Sequence, residues 1–175
     1  MRIRLAETSD IPALASVIEA SARGLSDGFY TPRQVESAIR YVFGVDSQLI
    51  ADGTYFAAMN GEEIAGCGGW SKRATLYGGD QAGTRSARLL DPSHEAARIR
   101  AFFVAPSHAR AGVGTLLLEA SEDAARTAGF RRMELMATLP GVPFYAARGY
   151  AASPPTRDTL PDGTTIAFVR MERLL

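Results

Sequence analysis

At 175 residues the chain has the size of one globular domain. Lysine plus arginine number 19 and aspartate plus glutamate 19, and this zero net charge without a basic stripe argues against a nucleic-acid binder. No apolar run reaches membrane-span length, MRIRLAETSD has no apolar leader, and the single cysteine, Cys67, excludes an internal disulfide, so a cytoplasmic protein is expected.

Residues 2–6 (RIRLA) alternate polar and apolar and read as a short strand. Thr8, Ser9 and Asp10 offer N-caps to a helix with Pro12 in its first turn, running to about Arg23 and stopped by Gly24. A second helix starts with Thr31 as N-cap, Pro32 at the first position and Gln34 completing a capping box. Val35, Ile39 and Val42 give it an apolar face, and Gly44 ends it. Residues 54–59 and 63–70 read as strands joined at Asn60-Gly61, a hairpin turn whose residues both tolerate positive φ. Residues 71–94 are polar and glycine-rich, and strands resume after them, which marks a functional loop. The loop carries Lys72, Arg73, Arg85 and Arg88 against Asp80 and Asp91.

Residues 97–104 (ARIRAFFV) form a strand whose second half is wholly apolar, as in a central strand covered on both faces. The helix that follows sets Val113, Leu116, Leu117, Ala120, Ala124 and Ala128 on one side at a period of 3.6 residues, with Gly129 as its C-cap residue. Residues 132–138 read as a strand, Pro143 to Arg148 as a short helix stopped by Gly149, and residues 165–171 as a last strand. Turns are expected at Pro154-Pro155 and Asp162-Gly163. With no internal repeat and no boundary, this order predicts an α/β or α+β sandwich with a mixed sheet, as one domain over residues 1–175.

The turn holding Gly112 and Gly114 joins the central strand to the long helix. A strand, a glycine-bearing turn and a helix N-terminus together expose backbone N–H groups to a phosphate. The dinucleotide fingerprint fails because its third glycine is Leu117, and a P-loop fails because no lysine follows Gly114. What remains is a pyrophosphate cradle of the N–H groups from about Arg110 to Thr115, reinforced by the helix dipole and by the Arg110 side chain.

FFVAPSHARAGVGTLLLEASEDAARTAGF resembles motif A of the GNAT superfamily of acetyl-CoA-dependent N-acetyltransferases, and VPFYAARGY resembles its motif B. The usual Q/R-x-x-G-x-G/A pattern runs here from Ala109 to Gly114, so alanine stands at the first position and Arg110 one place later. The resemblance implies a mixed, mostly antiparallel twisted sheet with helices on both faces and the strands 97–104 and 132–138 splayed apart. It also implies that the backbone of Phe103 and Val104 pairs with the pantetheine arm, and that Arg110, Ala111, Gly112, Val113, Gly114 and Thr115 hold the pyrophosphate of acetyl-CoA.

Acetyl transfer to an amine needs a deprotonated nitrogen, a polarised thioester carbonyl and a proton for the thiolate. Tyr145 is the expected general acid: a phenol is a weak acid that stays neutral, and the motif commonly places a tyrosine there. The strand 97–104 has no acid, only Arg98 and Arg100, so Glu95 and Glu134 are the substitute bases, with His94, His108 and an ordered water as further choices. Cys67 between glycines reads as a small buried residue, and two histidines with one cysteine make a metal site unexpected. Trp70, Tyr77 and the basic residues of the 71–94 loop are equally readable as an acceptor wall or a solvated surface. The expected protein is therefore an N-acetyltransferase for a small-molecule or peptide amine, without nucleic-acid or membrane partner and with a homodimer as the default assembly. The competing class is a non-catalytic acyl-CoA sensor.

Overall fold

The two reciprocal hydrogen bonds of the capping box form as the sequence predicts. The Gln34 N–H donates to Thr31 Oγ1 at 3.3 Å and the Thr31 N–H to Gln34 Oε1 at 2.9 Å. The computed structural model describes residues 1–83 and 85–175. Its elements are strand β1 (Arg2–Leu5), helices α1 (Ile11–Gly24), α2 (Pro32–Tyr41) and α3 (Ser47–Ala51), and strands β2 (Tyr55–Asn60), β3 (Glu63–Ser71) and β4 (Ala97–Val104). Then come α4 (Val113–Thr127), β5 (Arg132–Thr138), α5 (Val142–Ala146), β6 (Ala151–Ala152), β7 (Thr156–Thr159) and β8 (Thr165–Leu174).

All eight strands lie in one sheet of order β1-β2-β3-β4-β5-β8-β6, with β7 also on β8. Every pairing is antiparallel except β4 with β5. Strand alternation separates two cores. Tyr55, Ala57, Cys67 and Phe168 pack with Leu14, Ile18 and Val35 of α1 and α2. Ala58 and Ala65, on the opposite face, pack with Val113 and Leu117 of α4.

Five sequence expectations are corrected. Helix α2 stops at Tyr41 rather than Gly44, and the five-residue α3, too short to show periodicity, follows it. The polar edge strands β6 and β7 carry no apolar alternation, and β8 runs on to Leu174. The buried face of α4 is Val113, Leu117, Leu118, Ser121, Glu122 and Ala125, whereas Leu116 is 36% exposed. Two polar residues hid this face. Ser121 Oγ donates back to the Leu117 carbonyl at 2.8 Å, and Glu122 accepts from the Tyr150 hydroxyl at 2.9 Å and from Arg173 at 3.0 Å.

Strands β4 and β5 pair only at Ala97–Met133 and Arg98–Glu134 and then diverge. The cause sits in β4. Its register against β3 shifts between Cys67 and Gly69, and Ala101 takes a left-handed φ of +49°. The fully buried Tyr55 holds this bulge by donating its hydroxyl to the Ala101 carbonyl at 3.0 Å.

Gly69 of β3 lies close against the Thr54–Tyr55 backbone where β2 begins. A Cβ on Gly69 would stand 2.2 Å from the Thr54 carbonyl oxygen, and both elements are backbone. We predict that Gly69→Ala lowers stability by about 3 kcal/mol, read as a shifted urea midpoint at unchanged slope.

Candidate active site

The gap between β4 and β5 opens into a cavity of about 840 Å³ that runs from the Gly112 turn to the side of the sheet covered by α1 and α2. Its wall includes Phe103, Val104, Arg110, Gly112, Val113, Gly114, Thr115 and Tyr145. The turn is wound for N–H exposure: Arg110 has φ +66° and Gly112 φ +85°, with Gly112 as the N-cap of α4. Among the described residues the N–H groups of Arg110, Gly112, Val113, Gly114 and Thr115 have no protein acceptor. Ala111 departs from expectation, since it does not line the cavity and its N–H donates to the His108 carbonyl at 3.3 Å. The short His108-to-Ala111 turn that aims the neighbouring amides inward consumes this one. Gly114 faces Phe144, whose ring a Cβ would meet at 3.0 Å.

The side of the cradle is closed by Arg148. Its guanidinium lies 3.9 Å over the Phe144 ring, donates to the Phe144 carbonyl at 3.1 Å and bonds Thr115 Oγ1. On β4 the Val104 N–H turns away from β3 and donates to Ser21 Oγ of α1 at 3.3 Å. We predict that Gly112→Glu, which sets a carboxylate among the free N–H groups in a left-handed backbone, weakens coenzyme A binding about 100-fold by calorimetry.

Tyr145 is 6% exposed and sits edge-on to Phe144 at 5.0 Å and Tyr150 at 5.6 Å. Burial pushes its phenol well above the ordinary value, against a weaker opposing pull from Arg148. Among the described residues the only fully buried side-chain polar atom without a partner is Arg98 Nε. The Tyr145 hydroxyl has no protein partner either, so it opens on the cavity that the side chain lines.

The two carboxylates named as bases lie elsewhere. Glu95 accepts from Arg88 at 2.7 Å and from the Asp91 N–H at 2.8 Å, and the Arg88 bonds hold its carboxyl down at about 2. Glu134 is buried between Arg98 and Arg170. Neither lines the cavity. His94 is exposed beside Asp91, while His108 reaches the cavity rim with Asn60 at 3.1 Å. Cys67 is fully buried and its thiol is pushed up to about 12 by that burial, which suits a packed residue.

The 71–94 loop contributes Leu76, Tyr77, Gly78 and Gly79 to the wall, but Trp70 packs on Phe130 instead. Its arginines hold the loop: Arg73 pairs with Asp52, Arg85 with Asp46 and Asp80, and Arg88 with Glu95. Sequence reasoning missed Ser21, Phe43, Arg100 and Phe168, all of which line the cavity. Arg100 and its partner Asp46 are 54 positions apart, and no local pattern joins them.

The family model described as acetyltransferase (GNAT) family matches residues 23–150, and the chain belongs to that family. It is thus an acyltransferase built for acetyl transfer. Among solved structures it is similar to a GCN5-related N-acetyltransferase from Rhodopseudomonas palustris, with 21% identity, a TM-score of 0.73 and coverage of 99% of this chain and 95% of that one. It is also similar to the PaiA N-acetyltransferase of Thermoplasma acidophilum in complex with coenzyme A, with 15% identity, a TM-score of 0.66 and coverage of 99% and 98%. A ribosomal-protein-alanine N-acetyltransferase from Brucella melitensis gives 13% identity, a TM-score of 0.65 and full coverage of both chains. At these identities the likeness establishes the fold. No match is found among curated proteins. No helix among the described residues is long and apolar enough to cross a membrane.

Proposed function

We propose that the protein transfers an acetyl group directly from acetyl-CoA to a primary amine. The observation that carries this reading is the unpartnered Tyr145 hydroxyl in a cavity that begins at the free N–H groups of the Gly112 turn. Those N–H groups suit the pyrophosphate, and the Val104 N–H suits a pantetheine carbonyl once Ser21 releases it. Acetyl-CoA supplies an activated acyl carbon on a sulfur leaving group. As the N–C bond forms and the C–S bond breaks, Tyr145 gives its phenolic proton to the sulfur and later regains one from solvent. The surplus proton on the nitrogen leaves to water, because Glu95 and Glu134 point elsewhere.

The family is one of acetyltransferases, which favours an enzyme over a non-catalytic sensor. The reading takes residues 1–175 as one cytoplasmic domain acting on a small-molecule or peptide amine, with no nucleic-acid or membrane partner and a homodimer as default assembly. Native mass spectrometry with acetyl-CoA, followed by thiol release across an amine panel, tests it. Binding and amine-dependent release are expected, and release that ignores the amine would refute direct transfer.

A further inference from the structure

The two ends of the cavity differ in chemistry. The end at the Gly112 turn is basic, with His108, Arg110 and Arg148 on its wall. The end under α1 and α2 is mostly apolar, with the uncharged Ser21, Ser26 and Thr138 among its lining. There Leu25, Phe29, Phe43, Tyr77, Met136 and Phe168 form the wall. Three of these rings and Phe103 form a contact chain, with centroids 5.7 Å apart for Phe43–Phe103, 6.4 Å for Phe43–Phe168 and 5.5 Å for Tyr77–Phe168.

Charge is absent from this end in usable form. Among the described residues no aspartate or glutamate lines the cavity. Arg100 reaches it, but its guanidinium is engaged by Asp46 at 2.7 Å, the Thr75 carbonyl at 2.9 Å and the Gly78 carbonyl at 2.6 Å. Asp158, behind Tyr77, accepts the Tyr77 hydroxyl. A second ammonium on a bound amine would find no anion here, and a carboxylate would find no free cation.

Resting on the acetyl-transfer reading above, we propose that the acceptor is an apolar monoamine: an aromatic or aliphatic body with one primary amino group and no other charge. The apolar wall fits the body. It also performs part of the work of the missing carboxylate base. Desolvation disfavours an ammonium, so the wall lowers the pKa of the bound amine toward the free base that attacks. Phe29, 48% exposed at the rim, extends the apolar surface outward to meet such a body.

The experiment compares kcat/KM for phenethylamine, spermidine, glutamate and an alanine-initiated peptide, with acetyl-CoA binding measured in parallel by native mass spectrometry. Phenethylamine should exceed the three charged amines by about 100-fold. Phe29→Asp, a change at an exposed position, should narrow the phenethylamine-to-spermidine ratio about 10-fold by adding an anion at the rim. Equal or better use of spermidine, glutamate or the peptide overturns the inference, as does an acetyl-CoA-loaded protein that ignores phenethylamine. In those cases the cofactor reading stands. Failure to bind acetyl-CoA removes the acetyl-transfer reading itself and this inference with it.

Discussion

Tyr145→Phe lowers kcat for acetyl transfer by about 100- to 1,000-fold and leaves the affinity for coenzyme A within about 2-fold, as expected when a general acid is removed from a preformed site. The substitution deletes one oxygen and no packing. The ring keeps its edge contacts with Phe102, Phe144 and Tyr150. The hydroxyl it removes bonds no protein atom among the described residues, so the described fold loses no hydrogen bond. The proposed phosphate cradle consists of backbone N–H groups on a different element and is untouched. Burial raises the phenol, so Tyr145 remains a proton donor across the neutral range and beyond. Its own ionisation therefore adds no alkaline fall to the rate between about pH 7 and 10. Stopped-flow thiol release with a saturating amine reads kcat, and calorimetry reads the affinity. A kcat within 3-fold of the parent, on the order of experimental spread for a neutral change, would take Tyr145 out of the mechanism.

Asp46→Ala has the largest expected effect on stability, a loss of about 3–5 kcal/mol. Asp46 is 0% exposed, and it faces Arg100, whose guanidinium is almost as deeply buried. Burial already depresses the Arg100 pKa despite the carboxylate beside it. Removing that carboxylate leaves a buried cation with two carbonyl partners and no counter-ion, and takes from Arg85 one of its two carboxylates, leaving Asp80. A domain of this size has a total stability of roughly 5–15 kcal/mol, so the variant should be partly unfolded at 37 °C. Asp46→Ala combined with Arg100→Met should recover more than half of the loss, because it removes the stranded charge together with its partner. Guanidinium melts of the two variants decide this. Equal midpoints for single and double variants would show that the cost comes from packing alone.

Local rules carried the sequence reading far. Capping residues placed α1 and α2, Asn60-Gly61 placed the hairpin, and an apolar second half placed β4 at Ala97–Val104 within the sheet. Each of those signals acts over a few residues. The Gly112 turn was legible for the same reason, since it is one continuous segment. The apolar wall of the cavity was legible only at Tyr77, because Phe29, Phe43 and Phe168 come from separate segments that only the packing unites. Glu95 and Glu134 misled because a carboxylate beside a key strand says nothing about which arginine will claim it. The buried face of α4 was misplaced because Glu122 counts as polar until Tyr150 and Arg173 arrive from distant chain.

Two residue pairs are all that join β4 to β5. Within the sheet there are two half-sheets, β1–β4 and β5–β8, paired at one corner and parted along the rest of their shared edge, with the helices packing across both. The corner is clamped by Glu134 between Arg98 of one half and Arg170 of the other. A substrate that fills the wedge then serves as mortar, adding contacts to both halves that the folded chain alone lacks. Its binding energy is also cohesion energy between the halves, rising with the logarithm of substrate concentration.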